Sequence, residues 1–210
     1  MNYLVFSNPL TGLPFIMNFK NPAPTVVITR SKSIDNWKNI LSRFIRNRYT
    51  VEDYVRFIRK IEFYDYNSLS PIILKKIIEK YNIEIGFITT FSDIIKPQLY
   101  SLFPKGVYNF HPSILPAHGG ADPIYWVLKN KDRFTGTTCH KITDRLDTGE
   151  ILLQSNYLVG DMNYKKLFAR YVQDVSWMYK EILDNFDYIY ANRRLAVDAV
   201  FDSPLKSNSN

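Results

Sequence analysis

Two polar side chains lie two residues apart at the end of an apolar, strand-like run. The stretch YNFHPSILPAHGG (108–120) places Asn109 and His111 there, directly before prolines and glycines. Side chains alternate across a strand, so we expect these two on the same side. An amide can donate a hydrogen bond and an imidazole can move a proton, so the pair is suited to acid–base chemistry. Alone it indicates little, because a histidine in a loop often lies at the surface.

A second polar turn occurs in TDRLDTGEIL (143–152), between two strand-like runs. Asp144 and Asp147 precede Gly149 in this turn. Aspartate and glycine also serve turn geometry, so this segment taken singly is interpreted as an ordinary turn.

The two segments together resemble a known enzyme family. NFHPSILP, followed by GADPIYWVLKNKDRFTGTTCHKITDRLDTGEIL, is similar to the catalytic core of the formyltransferases that use 10-formyltetrahydrofolate. The family signature is Asn-x-His-Pro-Ser-(apolar)-Leu-Pro and then Asp-x-Gly-x-Ile, and both halves occur here in order. The resemblance covers residues 61–155 and implies that Asn109, His111 and Asp147 are the catalytic set.

The residue types suit the reaction that the resemblance implies. Formyl transfer to an amine passes through a tetrahedral oxyanion, which needs hydrogen-bond donors and a group that takes the proton of the amine. Asn109 can supply an uncharged donor and His111, if protonated, a charged one, while Asp147 orients the imidazole. The implied reaction needs no covalent enzyme intermediate, and we expect Cys139 to be structural.

The resemblance also implies a binding site for the pterin of 10-formyltetrahydrofolate. It lies at the loop after the strand IGFITT, around Thr89, Thr90 and Phe91, and at the turn around Asp144. Backbone groups hold much of the pterin in this family. The alternative interpretation of Thr89 to Phe91 is a strand end that packs into the core.

Three further polar residues lie near the signature. Ser113 and His118 are candidate contacts of the acceptor substrate. After SILP the family often has a basic, an aromatic and another basic residue before glycine, whereas this chain has AHGG (117–120). His118 is therefore either a substitute contact or a surface loop residue. We expect His140, in GTTCHKI (136–142), to be a core or sheet histidine.

Family members differ in the amine that receives the formyl group. The enzyme that acts on initiator methionyl-tRNA carries an added C-terminal β-barrel, for which we expect no room after residue 185. The purine-pathway enzyme, phosphoribosylglycinamide formyltransferase, has a glycine-rich phosphate loop after its first strand, whereas LVFSNPLTGLPF (4–15) has the single glycine Gly12. We therefore expect a sugar N-formyltransferase acting on a nucleotide-linked amino sugar for surface polysaccharide (O-antigen) synthesis, with dTDP-4-amino-4,6-dideoxyglucose as the specific prediction.

Two alternatives stay open. The chain can instead be the phosphoribosylglycinamide formyltransferase, or a catalytically silent module that binds a nucleotide-sugar. An intact set of Asn109, His111 and Asp147 argues against the silent module.

The elements that must position these residues follow an α/β pattern. Strand-like runs at 3–6, 25–30, 83–90, 106–110 and 136–142 alternate with helical patterns, which predicts a Rossmann-like, mostly parallel twisted sheet flanked by helices. The clearest helix follows Ser70, which can cap it, with Ile72, Ile73, Ile77 and Ile78 as its apolar stripe.

The C-terminal part contains a second periodic segment, from Tyr164 to about Asn185, which predicts a packed helix. We expect a catalytic domain over 1–160, a helix and hairpin appendage over 161–202, and a disordered tail over 203–210. The hairpin, within 185–200, is a candidate contact of a homodimer.

Composition limits the remaining classes of function. The chain has 210 residues, a net charge of +7 and one cysteine, which favours a folded protein of a reducing compartment without a zinc site. We expect a cytoplasmic protein with an anionic partner and no metal. The basic, aromatic-rich stretch 37–60 is either a phosphate-gripping surface, such as a contact of the diphosphate, or the solvated face of two amphipathic helices. Because no nucleic-acid-binding motif accompanies it, we expect neither a nucleic-acid nor a membrane partner.

Overall fold

The computed structural model describes residues 1–30, 46 and 48–194. The chain divides into two compact units, Met1–Val107 and Tyr108–Asn210. The division does not coincide with the domain boundary that the sequence predicts at residue 160.

The first unit is built on four parallel strands. The strands are β1 (Asn2–Ser7), β2 (Val26–Thr29), β3 (Glu62–Asp65) and β4 (Ile83–Thr89). They lie in the order β3-β2-β1-β4, and every pair is parallel. The central strands are short apolar runs that are buried along nearly their whole length, as is typical of parallel sheets covered on both faces.

Short helices connect these strands. They are α1 (Leu13–Asn18), α2 (Val51–Asp53), which continues as a π-helical turn over Tyr54–Arg59, α3 (Pro71–Tyr81) and α4 (Pro97–Tyr100), with a 3-10 turn over Tyr66–Ser68. The helix expected after Ser70 is confirmed, because the Ser70 hydroxyl accepts the Ile73 N–H at 3.3 Å and caps α3.

The apolar stripe of α3 differs from the prediction. Leu74, Ile77 and Ile78 are buried, whereas Ile72 and Ile73 are 70% and 40% exposed. Leu74 with Ile77 and Ile78 has the i, i+3, i+4 spacing of one helix face. The two isoleucines of the first turn lie outside that face and belong to the surface.

The second unit contains an antiparallel sheet and a small ribbon. The sheet strands are β5 (Val107–His111), whose residues from Tyr108 onward belong to this unit, β7 (Thr138–Lys141) and β8 (Ile151–Gln154). β7 lies between β5 and β8 and is antiparallel to both. The ribbon pairs β6 (Phe134–Thr135) with β9 (Tyr157–Leu158).

Two helices complete the second unit, α5 (Pro123–Lys129) and α6 (Tyr164–Ala191). Asn163 caps α6 by accepting the Lys166 N–H at 3.0 Å. A buried apolar cluster joins α5, the ribbon and α6, and consists of Ile124, Val127, Val159 and Leu167. The Tyr171 hydroxyl of α6 also donates to the Phe110 carbonyl of β5 at 2.6 Å. The C-terminal helix is therefore packed into this unit rather than appended to it.

The end of α6 corrects another expectation. The helix runs on to Ala191, with one non-helical residue at Asn185, so a hairpin does not begin at 185. Residues 195–210, which include the rest of the expected hairpin and the expected tail, lie outside the described residues, as do 31–45 and 47 of the basic stretch.

The α/β class is confirmed, and every strand that the sequence predicts is found within about two residues of its expected ends. In the described ranges, no helix is long and apolar enough to cross a membrane.

Candidate active site

The second unit places the two polar residues of β5 beside a histidine of β7. In the antiparallel register Asn109 lies opposite His140, and His111 lies opposite Thr138. Residues directly opposite each other project from the same face of a sheet. His140 therefore lies on the same face of the sheet as Asn109 and His111, and its side chain is buried there.

Asp147 reaches the same place from the loop between β7 and β8. Its backbone has φ 52°, in the left-handed region that aspartate tolerates better than most residues. Gly149 lies close to the end of β7, where a Cβ would come within 1.7 Å of the Lys141 carbonyl oxygen. Only glycine fits there, and this close approach brings the loop with Asp147 over the sheet.

The four side chains form one contact network. Asp147 Oδ2 lies 3.6 Å from His111 Nδ1, and Asp147 Oδ1 lies 3.3 Å from His140 Nε2. Asn109 Nδ2 lies 3.4 Å from the same His140 nitrogen. All three residues of the predicted catalytic set therefore meet, with His140 between two of them.

Backbone groups of the loop after β5 complete the network. His111 Nε2 lies 2.8 Å from the His118 carbonyl oxygen, and the Gly120 N–H donates to Asp147 Oδ2 at 2.8 Å. A carbonyl can only accept, so His111 Nε2 carries a hydrogen. His111 Nδ1 lies beyond hydrogen-bond distance of Asp147, which fits a neutral ring with its proton on Nε2.

Burial and neighbouring charges act in opposite directions on this site. Burial alone raises the pKa of Asp147, but the imidazole of His111, the hydrogen bond from His140 and the Gly120 N–H together lower it to about 2. Burial lowers the pKa of His111, and the charge of Asp147 and the His118 carbonyl only partly offset it. At neutral pH the network therefore holds an ionised carboxylate next to a neutral imidazole.

This arrangement has the parts that acyl transfer to an amine needs. The Asn109 amide and His111 Nε2–H are donors for a developing oxyanion. Asp147 is an ionised acceptor that can take a proton through a water molecule or through His140. His140 Nδ1–H donates to the Lys141 carbonyl at 3.1 Å, which fixes the ring. Its Nε2 accepts from the Asn109 amide when the ring is neutral and donates to Asp147 when the ring is protonated.

His140 lies in the contact network, although its sequence context indicated only a core or sheet histidine. The expectation of a buried sheet histidine is correct as to burial, but the ring contacts two residues of the predicted catalytic set. The signal was available: antiparallel pairing of 136–142 with 106–110 places His140 opposite Asn109. The register between the two strands was the missing piece of information.

The two predicted acceptor contacts have partners inside the unit. Ser113 is buried, and its hydroxyl donates to the Ala117 carbonyl at 2.7 Å. His118 Nε2 forms a short hydrogen-bond contact with Asp132 Oδ2. Both side chains thus support the loop after β5, and their contact with an acceptor stays a prediction.

The predicted pterin residues are distributed over both units. Thr89, Thr90 and Phe91 lie at and after the end of β4 in the first unit, and Asp144 lies exposed in the β7–β8 loop of the second. Thr89 is buried and donates to the Ser7 hydroxyl at 3.2 Å. Thr90 has φ 52° and a buried hydroxyl without a hydrogen-bond partner in the described part of the chain. A polar ligand such as a pterin can satisfy that hydroxyl, so the residues present fit the expected co-substrate.

The protein matches a known sequence family over most of its length. A model described as formyl transferase matches residues 21–180, which include every residue of the network above. The chain belongs to the formyl transferase family. Across residues 1–30, 46 and 48–194, no group of three or more His, Cys, Asp or Glu side chains is arranged to hold a metal ion.

The relatives of this chain are named for different acceptors. A methionyl-tRNA formyltransferase of Pseudothermotoga lettingae is 42% identical over 71 residues, which are 34% of this chain and 24% of that protein. A chloroplastic phosphoribosylglycinamide formyltransferase of Arabidopsis thaliana is 30% identical over 124 residues, 56% of this chain and 42% of that protein. The match thus spans less than half the length of either formyl transferase.

Solved structures show the same fold. A phosphoribosylglycinamide formyltransferase of Streptococcus pneumoniae aligns with a TM-score of 0.66 and 17% identity, covering 89% of this chain and 99% of that one. An N-formyltransferase of Helicobacter canadensis, in complex with folinic acid and dTDP-3-aminofucose, aligns with a TM-score of 0.64 and 19% identity, covering 96% and 70%. At these identities the likeness establishes the formyltransferase fold.

Proposed function

We propose that the protein transfers a formyl group from 10-formyltetrahydrofolate to the amine of a nucleotide-linked amino sugar. The observation that carries the reaction type is the meeting of Asn109, His111 and Asp147 around His140 in one buried network. The folate supplies the formyl carbonyl. Asn109 and His111 Nε2–H stabilise negative charge on its oxygen while the amine nitrogen attacks the formyl carbon. The bond from that carbon to the folate nitrogen then breaks, and Asp147 or a water molecule relays the proton of the amine to the departing nitrogen.

The loop after β1 bears on which acceptor the protein uses. In that loop the Leu10 and Thr11 N–H groups donate to Asn8 Oδ1 at 3.0 and 3.2 Å, and the Gly12 N–H donates to the Asn8 carbonyl at 3.1 Å. Three successive N–H groups are therefore occupied within the loop. A phosphate bound by backbone amides needs such groups free, which argues against a ribonucleotide phosphate at this position.

Two structural relatives whose names or ligands include a sugar support an amino sugar as the acceptor. The Helicobacter canadensis N-formyltransferase was solved with a dTDP-linked amino sugar, and a second neighbour is a sugar 3N-formyl transferase solved with dTDP and a formylated folate. Our specific proposal is a dTDP-linked 4-amino-4,6-dideoxyglucose, used for surface polysaccharide by a cytoplasmic homodimer. Ser113 and the basic segment 43–60 are the proposed contacts of the nucleotide-sugar.

A second candidate is the formylation of glycinamide ribonucleotide. It is favoured by the Streptococcus pneumoniae neighbour, which aligns over 99% of its own length. The two candidates share the network around His111 and differ in the phosphate contacts of the acceptor.

The deciding experiment offers the protein several acceptors together with 10-formyltetrahydrofolate. The panel contains dTDP-linked 3-amino and 4-amino sugars, glycinamide ribonucleotide and initiator methionyl-tRNA, and mass spectrometry detects the formylated product. We expect formylation of a dTDP-sugar. Formylation of glycinamide ribonucleotide or of the tRNA alone would replace the proposed acceptor while leaving the reaction type intact.

A binding measurement separates the enzyme from a catalytically silent module. Calorimetric titration with the stable analogue 5-formyltetrahydrofolate tests the folate site, and titration with dTDP tests the nucleotide site. Binding of both without formylation of any amino sugar would contradict the enzymatic proposal.

A further inference from the structure

The loop after β5 contains a residue in an unusual backbone conformation. His118 has φ 55°, in the left-handed region that is unfavourable for most non-glycine residues. Such a conformation persists where the surroundings hold it. Histidine, like Asn and Asp, is enriched among the non-glycine residues that adopt it, and here the contacts of its side chain hold it in place.

The His118 side chain is held by a short hydrogen-bond contact between its Nε2 and Asp132 Oδ2. The two side chains are 11% and 28% exposed, so the contact is largely shielded from solvent. Asp132 is itself fixed, because its N–H donates to the Val127 carbonyl at 3.0 Å just beyond the end of α5. Val127 is fully buried in the cluster that joins α5 to α6. The pair therefore ties the loop after β5 to a rigid helix.

The backbone of the same loop touches both acid–base residues of the site. The His118 carbonyl accepts the His111 Nε2–H at 2.8 Å, and the Gly120 N–H donates to Asp147 at 2.8 Å. A shift of the loop would therefore alter the partner of His111 and the partner of Asp147 at once.

The His118 carbonyl has a specific physical consequence for His111. The ring of His111 is buried, and a buried N–H without a partner costs free energy. A neutral carbonyl satisfies that N–H before substrate binds. An oxyanion is a stronger acceptor than a neutral carbonyl, by roughly a factor of two in hydrogen-bond strength. The bond can therefore move to the oxyanion when negative charge develops, which favours the transition state over the ground state.

We propose that His118 and Asp132 form a positioning pair that keeps the proton of His111 on Nε2 through the His118 carbonyl. The inference rests on the proposed function, since it assigns His111 Nε2–H to the oxyanion. It also gives the AHGG segment a role in orienting the site. Neither side chain touches the reacting atoms, so both are positioning residues.

The test combines kinetics with a measurement that needs no acceptor. Long-range ¹H–¹⁵N correlation spectra report which nitrogen of each imidazole carries a hydrogen. The chain has three histidines, and His111→Asn and His140→Asn assign their signals. In the intact protein at neutral pH, we expect the spectra to show His111 as a neutral ring with its hydrogen on Nε2.

Two variants remove the pair without forcing the backbone. Asp132→Asn keeps the size of the side chain, and His118→Asn keeps a residue type that tolerates the left-handed region. In each variant we expect the spectra of His111 to show the Nε2–H tautomer together with the Nδ1–H tautomer or the protonated ring. We also expect kcat to fall by on the order of tenfold to a hundredfold. We expect KM for 10-formyltetrahydrofolate to change little. The double variant should be no worse than the single ones, because both remove the same contact.

Asp161→Asn is the matched control, since Asp161 lies in the same unit, is 94% exposed and forms a surface ion pair with Lys166. Its His111 signals and kcat should equal those of the unchanged protein. An unchanged His111 pattern in folded His118→Asn and Asp132→Asn would overturn the positioning role, and so would an altered pattern with undiminished kcat. If no acceptor is formylated, the spectra still decide whether the pair positions His111, so failure of the proposed function is recognised separately.

Discussion

His140 Nε2 lies 3.3 Å from Asp147 Oδ1, while His111 Nδ1 lies 3.6 Å from the other oxygen of the same carboxylate. Asp147 is thus held between two imidazoles on one face of the second unit's sheet. The two rings are themselves in edge contact, with centroids 6.3 Å apart. A single carboxylate therefore lies next to both histidines of this network and exerts its charge on both.

The first prediction concerns the donors to the oxyanion. His111→Ala and Asn109→Ala each remove one donor, and loss of such a donor costs about a hundredfold to a thousandfold in turnover. We expect this loss in kcat, with 5-formyltetrahydrofolate binding retained in calorimetry. Asn192→Ala, at the exposed end of α6, is the control and should keep full activity. Near-normal turnover of either site variant would refute the assigned mechanism.

The second prediction tests whether His140 acts through its nitrogen atoms or through its volume. His140→Gln retains a side-chain donor, whereas His140→Phe retains a ring without one. Because the hydrogen bond from His140 helps to lower the pKa of Asp147, we expect that pKa to rise in His140→Phe and to rise less in His140→Gln. ¹³C spectra of the carboxylates measure the pKa. Equal kcat and an equal Asp147 pKa in both variants would mean that the ring serves packing alone.

The third prediction is an acid-dependent loss of stability. The pKa of Asp147 is about 2 in the folded protein, against about 3.9 in an unfolded chain. The folded value is the lower one, so ionised Asp147 stabilises the fold above about pH 4, and this contribution is lost as the pH falls towards 2. This difference in pKa corresponds to about 2–3 kcal/mol.

Urea unfolding of the protein and of Asp147→Asn measures this contribution. We expect the difference in unfolding free energy between the two proteins to shrink as the pH falls through this window. Asp161→Asn should show no such change relative to the unchanged protein, because its side chain is 94% exposed. A difference that is constant with pH would contradict the assigned pKa.

The fourth prediction concerns the glycine that follows Asp147. In Gly149→Ala the new Cβ meets the Lys141 carbonyl oxygen, so the loop must move away from β7. We expect a loss of about 1–3 kcal/mol in unfolding free energy, as for overpacking, together with a loss of turnover. Gly160→Ala is the matched control, since its Cβ meets nothing within 4 Å and only φ 53° is unfavourable. If both variants lose the same turnover, close packing at Gly149 does not position Asp147.

Much of the fold was predictable because its signals are local. The run from Ile83 to Thr89 is apolar enough to be a buried strand, and Ser70 with Pro71 marks the start of α3. β3 was missed because EFYD is an edge strand with polar, half-exposed residues and little apolar signal. Ile72 and Ile73 were wrongly predicted to lie on the buried face of α3, because the sequence alone does not determine which face of a helix packs against the sheet.

The site was predictable where a motif carries it and unpredictable where strand register decides it. Asn109, His111 and Asp147 follow from the two-part signature. His140 follows only from its position opposite Asn109, and the contact of His118 with Asp132 requires α5 to be placed in space. Contacts between segments that are far apart along the chain leave no repeating pattern of residues in the sequence.

The hydrogen bond from Tyr171 to the Phe110 carbonyl has a consequence for biosynthesis. Phe110 lies between Asn109 and His111 in β5, and its partner follows it by 61 residues. A growing chain therefore releases the strand that bears both polar residues long before the helix that satisfies that strand's buried carbonyl has been synthesised. We expect ribosome-bound chains that end before α6 to lack a protease-resistant second unit, and longer chains to acquire one when Tyr171 emerges.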